Sequence, residues 1–224
     1  MKIAVIAGTP VDTRMGVEYL NKKTPQNETV YLPCADSPRE CHLFQMSDEA
    51  SKYAHMKNLF ERAMREGVRH FFIYCNSLST TFDYPALAKE LGVYCVTPLD
   101  AYAALAERYG CVGVIAANDQ ATAGIERAFT AKNPTCYVLG TGDLRLVEDI
   151  EKGFRDEGAD YLPEAIIRRR RIDSLCEFYR ANGAEALVLG CTHFPYLKEA
   201  LAAKTPLPII DPADIMYDLL TLNQ

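Results

Sequence analysis

Short apolar runs alternate with amphipathic segments along the whole chain, and this alternation constrains the fold more than any other feature. The apolar runs have the length of strands, and the segments between them place apolar residues at helical spacing. Short apolar strands separated by helices are typical of a parallel sheet covered on both faces, so we predict an α/β fold. The predicted strands are 3–7, 29–32, 70–74, 94–97, 112–116, 137–139, 186–189 and 208–210.

The helices predicted between these strands follow the spacing of apolar residues and the position of glycine stop signals. The fifth of them contains four consecutive arginines, at 168–171, whose side chains would point in different directions around a helix. We therefore expect a solvated helix face there rather than a phosphate clamp. The predicted helices are 48–66, about 84–90, 99–108, 120–131, 164–182 and 195–203.

A weak internal repeat indicates two halves of similar topology. Residues 3–7 resemble residues 112–116 at an offset of 109, and residues 71–77 resemble residues 187–193 at an offset of 116. The second pair of segments also matches in the position of a cysteine. We therefore predict two half-domains. The first comprises residues 1–97 with 208–224 and carries Cys75, and the second comprises residues 98–207 and carries Cys191.

Composition excludes several classes of protein. A hydrophobic fraction of 49% is too high for a disordered chain, and a net charge of -6 disfavours a basic surface for nucleic acid. No apolar run approaches the ~20 residues of a membrane span. The first ten residues read as a strand rather than as a signal peptide. We expect a cytoplasmic protein without nucleic-acid or membrane partners.

The chain contains 8 cysteines, and most of them lie in apolar runs. A thiol in such a run usually behaves as a small buried hydrophobe. The sequence has no C-x-x-C pair, and the spacing of Cys34, Cys41 and His42 matches no standard zinc site. We therefore expect free thiols and no metal.

Cys75 and Cys191 differ from the other cysteines because each follows an apolar strand and precedes a helix. In open α/β sheets ligands bind at the carboxyl ends of strands, and helix N-termini favour the thiolate. If the half-domains face each other, the cleft between them would place one sulfur on each face of a bound molecule. That geometry suits proton removal from one face of a carbon and proton return to the other. Two ordinary cysteines at strand ends are the alternative that position alone leaves open.

The residues around both cysteines resemble a known family. The segments YCNS at 74–77 and LGCTHFP at 189–195 are similar to the two signature motifs of the aspartate/glutamate racemase superfamily. The second segment is close to the glutamate racemase form, whereas aspartate racemases usually have Glu in place of His193. The resemblance implies two similar flavodoxin-like half-domains with the active site in the cleft between them. It also implies an amino-acid racemase that needs no cofactor, pyridoxal phosphate included.

The resemblance further implies roles for individual residues. Cys75 and Cys191 would be the paired acid/base groups, and His193 would assist Cys191; a polar cap at a helix start is the alternative for His193. The substrate, a small acidic amino acid such as glutamate or aspartate, would be its only small-molecule partner. Dimers are usual in the family, so a homodimer is the implied assembly. The implied substrate-binding residues are Gly8, Thr9, Asn76, Ser77 and Thr192.

The chain departs from the family pattern in its loops. Glutamate racemases have Asp-Ser-Gly after the first strand, and the Asp helps the first cysteine; this chain has AGTP at 7–10, which is nearer to the aspartate racemase loop. Asp12 could replace that Asp, Arg39 could pair with a distal carboxylate of the substrate, and Asp119 could recognise its amino group. Glu148 is the candidate for the acid that supports the second cysteine in glutamate racemases. These departures leave open a hydantoin racemase or a maleate isomerase of the same superfamily, or a catalytically silent protein of the same fold that binds a small ligand.

Overall fold

The structure, a computed structural model, describes residues 1–222, which form two compact units. The first unit comprises residues 1–100 with the segment that begins at residue 213, and the second comprises residues 101–212. Each unit contains a four-stranded parallel sheet flanked by helices. The predicted fold class, α/β with two similar half-domains built on parallel sheets, is confirmed.

The first unit contains the strands β1 (Lys2–Ala7), β2 (Glu28–Pro33), β3 (His70–Ile73) and β4 (Tyr94–Val96). They pair in the order β2-β1-β3-β4. Its helices are α1 (Pro10–Lys23), α2 (Pro38–Gln45), α3 (Glu49–Arg65), α4 (Asn76–Thr81) and α5 (Tyr84–Leu91). Helix α6 (Pro98–Leu105) contains the boundary between the units.

The second unit contains the strands β5 (Cys111–Ala116), β6 (Tyr137–Gly142), β7 (Ala186–Gly190) and β8 (Ile209–Ile210), in the order β6-β5-β7-β8. Its helices are α7 (Asp119–Lys132), α8 (Leu144–Phe154), α9 (Pro163–Arg170), α10 (Ile172–Ala181) and α11 (Lys198–Ala202). Helix α12 (Pro212–Leu222) returns the chain to the first unit.

The register of the two sheets explains the internal repeat. Ile3 pairs with His70 in the first sheet, and Val112 pairs with Ala186 in the second. These pairs reproduce both offsets, since 112 − 3 is 109 and 186 − 70 is 116. The two halves therefore have the same topology, and the residues after β3 and β7 occupy equivalent positions in their sheets.

The eight predicted strands are all present. The central strands are covered on both faces, and a strand so covered has to be apolar along its length. In β1 every residue from Ile3 to Ala7 is buried, and in β7 all five residues are buried. Such runs differ from the helical spacing around them, and this makes them visible in the sequence.

The predicted boundary between the half-domains at residues 207 and 208 is wrong. Leu187 and Val188 of β7 pair with Ile209 and Ile210, so β8 belongs to the second sheet. The chain crosses back to the first unit only after residue 212. The earlier boundary also lies later than predicted, after residue 100 rather than after residue 97.

The single helix predicted for residues 164–182 is two helices, broken at Arg171 in a left-handed conformation with φ of 56°. Ile167 and Ile172 are both buried, yet five residues of continuous helix would place them about 140° apart. The break allows both to face the core. It also places the four arginines at a helix junction, where Arg169 and Arg170 pair with Asp149. Arg168, Arg169 and Arg171 are exposed, as expected for a solvated face.

Five helices were not predicted: α1, α2, α4, α8 and α12. Helix α1 lacks a broad apolar stripe because it approaches the sheet through Gly16, where an added Cβ would lie 2.8 Å from Tyr74 and Val5. Its start is nevertheless encoded locally, since Thr9 caps it. Among residues 1–222, every helix is too short or too polar to span a bilayer.

Candidate active site

Cys75 and Cys191 occupy the same position in the two sheets. In the first sheet the order of strands reverses between β1 and β3, and in the second between β5 and β7. Cys75 follows β3 closely, and Cys191 directly follows β7. Such switch points at the carboxyl ends of strands are where open α/β sheets bind ligands. Each unit thus presents one buried thiol at its own ligand-binding edge, with 5% of Cys75 and 7% of Cys191 exposed.

Cys75 is surrounded by hydrogen-bond donors. It directly precedes α4, and its Sγ lies 3.5 Å from Oγ of Ser77. It forms further hydrogen bonds with Cys41 and with the backbone N–H of Leu78. The hydrogen bond with Cys41 lowers the pKa of the Cys75 thiol more than burial raises it, and the bonds from Ser77 and Leu78 lower it further. The same contact and burial raise the pKa of Cys41 well above its usual value. Both directions correspond to a hydrogen bond in which the Cys41 thiol donates to Sγ of Cys75.

Asp12 shapes the loop after β1 by accepting hydrogen bonds from it. Its buried carboxylate accepts hydrogen bonds from the backbone N–H groups of Gly8 at 3.1 Å and Thr9 at 2.6 Å. The Thr9 hydroxyl donates to the same carboxylate at 3.0 Å. The negative charge of Asp12 raises the pKa of Cys75, in opposition to the donors. Asp12 thus fixes the two loop residues that the sequence indicates as substrate-binding.

Two residues near Cys75 were missed by the sequence analysis as parts of the site. Cys41 and Gln45 are both buried on α2, and Nε2 of Gln45 donates to Sγ of Cys41 at 3.1 Å and to Oγ of Ser77 at 2.8 Å. Their spacing of four residues places them on one face of a helix, but no local pattern shows that this face meets Cys75. Arg39, at the start of the same helix, is exposed.

Cys191 is bonded to a different kind of partner. Its Sγ lies 3.5 Å from Nδ1 of His193, and Nε2 of His193 lies 3.1 Å from Oε1 of Glu151. Arg155 donates to the other oxygen of Glu151 at 3.3 Å. Cys191, His193 and Glu151 are all buried. His193 does not cap the turn that follows it, so its side chain serves this chain of contacts instead.

The acid behind His193 is Glu151, not Glu148 as the sequence analysis suggested. Glu148 lies one turn earlier on α8, and its side chain is exposed. The sequence contains a signal that could have found this helix, because Asp143 is a good cap and Leu146, Val147 and Ile150 recur at helical spacing. A helix predicted there would have placed Glu151 on the buried face.

The remaining candidate residues divide between the two units. Gly8, Thr9, Asn76 and Ser77 lie around Cys75 in the first unit, and Thr192 lies beside Cys191 in the second. Oγ1 of Thr192 is buried and forms no hydrogen bond with the described residues. Asp119 is exposed in the first turn of α7 and forms no part of either cluster.

Metal ligation has no support from the arrangement of side chains within residues 1–222. His, Cys, Asp and Glu side chains there do not gather in groups of three that could hold an ion. Cys34 lies 3.7 Å from Nε2 of His55. All eight cysteines are free thiols.

The two α/β units have the same topology, and each has a buried thiol at its switch point. This arrangement defines a class of protein with one cysteine site in each unit. The chain belongs to the Asp/Glu/Hydantoin racemase family, whose sequence profile matches residues 13–220. The superfamily resemblance indicated by the two cysteine motifs is thereby confirmed.

Individual relatives extend this result. The chain is 27% identical over 192 residues to the glutamate racemase of Desulforudis audaxviator (strain MP104C), an alignment that covers 83% of this chain and 63% of that protein. The chain thus spans less than two thirds of the length of that relative.

Solved structures share the fold. The crystal structure of glutamate racemase from Francisella tularensis subsp. tularensis SCHU S4 in complex with D-glutamate matches with a TM-score of 0.68 and 23% identity, covering 99% of this chain and 81% of that one. The aspartate racemase of Picrophilus torridus matches with a TM-score of 0.66 and 17% identity, covering 99% and 93%. At these identities the likeness shows the fold alone.

Proposed function

We propose that this protein is an amino-acid racemase that inverts Cα of a small acidic amino acid without a cofactor, using Cys75 and Cys191 as the acid/base pair. The observation that carries the proposal is the repeated placement of a buried, hydrogen-bonded cysteine at the switch point of each unit. One thiol at one switch point would suit many functions. Two thiols at equivalent positions suit a reaction with two complementary proton transfers.

In the proposed reaction one cysteine is a thiolate and the other is a thiol. The thiolate removes the α-proton, and the thiol returns a proton to the opposite face of the resulting carbanion. After one turnover the two cysteines have exchanged protonation states, so the enzyme is ready for the reverse direction. The lowered pKa of Cys75 supports its role as a thiolate. His193, bonded to Cys191, supports proton transfer at the second thiol.

Polar groups at the two strand ends would hold the substrate. We assign this role to Gly8, Thr9, Asn76 and Ser77 in the first unit and to Thr192 in the second. The buried, unbonded hydroxyl of Thr192 supports the assignment, because a buried hydroxyl without a partner is costly until a ligand bonds to it. Donors at these positions would also stabilise negative charge that develops on the substrate carboxylate. Both proton transfers are supplied by thiols, so pyridoxal phosphate has no step in this scheme.

The acidic substrate class is inferred from relatives. The Desulforudis protein is a glutamate racemase, the Francisella structure contains D-glutamate and the Picrophilus protein is an aspartate racemase. The loop after β1, closer to the aspartate form, leaves both amino acids as substrates to test. We further propose that the functional assembly is a homodimer, as is usual in the family.

Deuterium incorporation tests the two-thiol mechanism directly. Each enantiomer of glutamate and aspartate is incubated with the protein in deuterated water, and early samples are separated by chirality and analysed by mass spectrometry. If two thiols act in turn, the product enantiomer carries deuterium at Cα while the recovered substrate stays protiated. The reason is that the returning proton comes from a different, solvent-equilibrated group. Deuterium in both enantiomers from the first turnovers would indicate a single base and contradict the proposal.

Substitution of the thiols completes the test. We expect Cys75→Ala and Cys191→Ala each to lower racemisation by about a hundredfold or more, because each removes one of the proton-transfer groups. Cys136 is a buried free cysteine in the same unit as Cys191, so Cys136→Ala is the matched control and should keep wild-type activity. Turnover of a hydantoin or of maleate in place of amino acids would point to the alternative isomerases. Ligand binding without any exchange would point to a silent binding protein.

A further inference from the structure

We infer that Cys41 and Gln45 are positioning residues that direct hydrogen-bond donors at Cys75. The inference rests on the proposed role of Cys75 as a proton-transferring thiol. Cys41, Gln45, Ser77 and Cys75 are joined by hydrogen bonds in a closed ring, which we call the Cys75 ring.

Gln45 sets the direction of the hydrogen bonds in the Cys75 ring. Its Nε2 donates to Sγ of Cys41 at 3.1 Å and to Oγ of Ser77 at 2.8 Å. An amide nitrogen has two hydrogens and only donates, so both neighbours have to accept from it. The S–H of Cys41 and the O–H of Ser77 are then left to point at Sγ of Cys75. Two donors aimed at one sulfur stabilise its thiolate form.

Burial keeps the hydrogen bonds of the Cys75 ring in one direction. Cys41 is 5% exposed, Gln45 is 3% exposed and Ser77 is 6% exposed. A buried amide is costly unless its hydrogens are bonded, so Gln45 is held to its two acceptors. Bulk water has little access to these groups and does not replace their bonds. The orientation of the donors is thus a property of the folded chain.

Sγ of Cys41 occupies the space beside the loop after β1 that faces Cys75. A Cβ built on Gly8 would lie 2.8 Å from Sγ of Cys41 and 3.5 Å from Sγ of Cys75. The space beside Gly8 that faces Cys75 is therefore filled by the Cys41 thiol. The thiol that bonds to Cys75 on this side therefore comes from α2. Cys41 is a neutral donor that favours the thiolate, whereas the nearby carboxylate of Asp12 opposes it.

Other titratable groups also face Cys75, and the test leaves them unchanged. They are Asp12 on α1, Cys34 after β2 and Tyr84 on α5. Cys34 contacts His55, and burial and the proximity of Cys75 raise the pKa of the Cys34 thiol. Cys34 therefore stays protonated at neutral pH and provides a nearby cysteine for comparison.

The ionisation of Cys75 can be measured in the full chain by alkylation with iodoacetamide across a pH series. Trypsin cleavage after Arg69 and Lys89 releases residues 70–89, which contain Cys75 as their only cysteine. We expect Cys41→Ala to raise the pH midpoint of Cys75 alkylation by about one unit, because one donor to the thiolate is lost. Cys41→Ser keeps a donor and should restore most of the shift. Cys34→Ala should leave the midpoint unchanged.

Substitutions of Gln45 test the direction of the hydrogen bonds in the Cys75 ring. Glu is nearly the same size as Gln, but its carboxylate only accepts, so it would draw the hydrogens of Cys41 and Ser77 away from Cys75. We expect Gln45→Glu to raise the midpoint more than Gln45→Met, which removes the amide without reversing the bonds. A merely structural role would lower thermal stability in both variants and leave both midpoints at the wild-type value. NMR titration of isotope-labelled cysteine gives the same midpoint without a reagent if alkylation proves slow.

The outcomes separate the inference from the proposed function. Equal midpoints in wild type, Cys41→Ala and Gln45→Glu would overturn the positioning role even if racemisation depends on Cys75. A shifted midpoint in a protein that racemises nothing would uphold the Cys75 ring and contradict the racemase proposal, because alkylation requires no substrate.

Discussion

Cys75 and Cys191 differ in the groups that form hydrogen bonds with their thiols. Cys75 is served by neutral donors, whereas Cys191 contacts an imidazole that is itself bonded to a carboxylate. If Nε2 of His193 donates to Glu151, Nδ1 accepts the hydrogen bond from Cys191. Under the proposed function, His193 then takes the proton of Cys191 and gives it back. Under the proposed function, the site of Cys75 thus stabilises a thiolate, and the site of Cys191 shuttles a proton.

Glu151→Gln tests this arrangement at the residue scale. The substitution keeps the size of the side chain but removes the charge that stabilises a protonated His193, so we expect kcat to fall about tenfold or more. KM should change little, because Glu151 contacts His193 and Arg155 rather than the assigned substrate-binding residues. Steady-state kinetics with a chiral assay measures both constants. Glu157→Gln removes the other carboxylate bonded to Arg155 and is the control. An unchanged kcat in Glu151→Gln would show that His193 works without Glu151.

At the scale of elements, the position of Glu151 depends on how α8 is held. Asp149, two residues earlier, accepts hydrogen bonds from Arg170 at 2.7 Å and from Arg169 at 3.0 Å. Both arginines lie at the end of α9, beside the break at Arg171. The arginine run therefore links α8 to α9 and fixes the helix that carries Glu151.

The link between α8 and α9 predicts a pH dependence of stability. Burial alone would raise the pKa of Asp149, but hydrogen bonds from Arg170 and Arg169 lower it below its usual value of 3.8. A carboxyl whose pKa is lower in the folded state stabilises the fold above its unfolded pKa, and this stabilisation is lost as pH falls through the folded pKa. We expect Asp149→Asn to reduce the free energy of unfolding by about 1–2 kcal/mol at pH 7.

Urea unfolding of Asp149→Asn and wild type at several pH values measures this difference. The difference in free energy of unfolding between the two proteins should narrow as pH falls below about 4, where the Asp149 carboxyl of the wild type begins to protonate. Glu148→Gln, an exposed neighbour on the same helix, should match wild type throughout. A gap that stays constant with pH would show that the ion pairs contribute nothing and that packing alone holds α8.

At the scale of the molecule, the first unit is completed by the end of the described chain. Asp214 on α12 accepts a hydrogen bond from Tyr19 at 2.8 Å and pairs with Lys23 at 2.8 Å. Met216 and Leu220 on the same helix are fully buried. The first sheet is therefore covered by a helix that is distant in sequence, and its stability depends on a segment beyond the whole second unit.

Leu220→Ala tests the dependence of the first unit on α12. Removing a fully buried leucine side chain should lower the free energy of unfolding by about 2–5 kcal/mol. Hydrogen exchange followed by mass spectrometry should show faster exchange in β1 and β4, while β5 and β7 keep wild-type protection. Leu222→Ala, with 79% of the side chain exposed, should change neither. Equal acceleration in both sheets would show that the two units unfold as one.

Much of the architecture could be predicted because parallel strands leave a local signature. The central strands β1, β3, β5 and β7 are buried on both faces, so they read as apolar runs. The two cysteines stand at the ends of two of these runs. Helix α1 left no comparable signature, since it approaches the sheet through Gly16 rather than through an apolar stripe. The boundary near residue 208 was misplaced because strand pairing, not strand identity, decides which sheet β8 joins.

The sequence by itself determined the α/β class, the repeated topology and the two thiols at strand ends, because element type and position along an element follow from neighbouring residues. Only the tertiary structure decided which groups surround each thiol. Gln45 is 32 residues from Ser77, and Glu151 is 42 residues from His193. Contacts over such separations depend on how α2 and α8 pack against their sheets, and no local spacing encodes that packing.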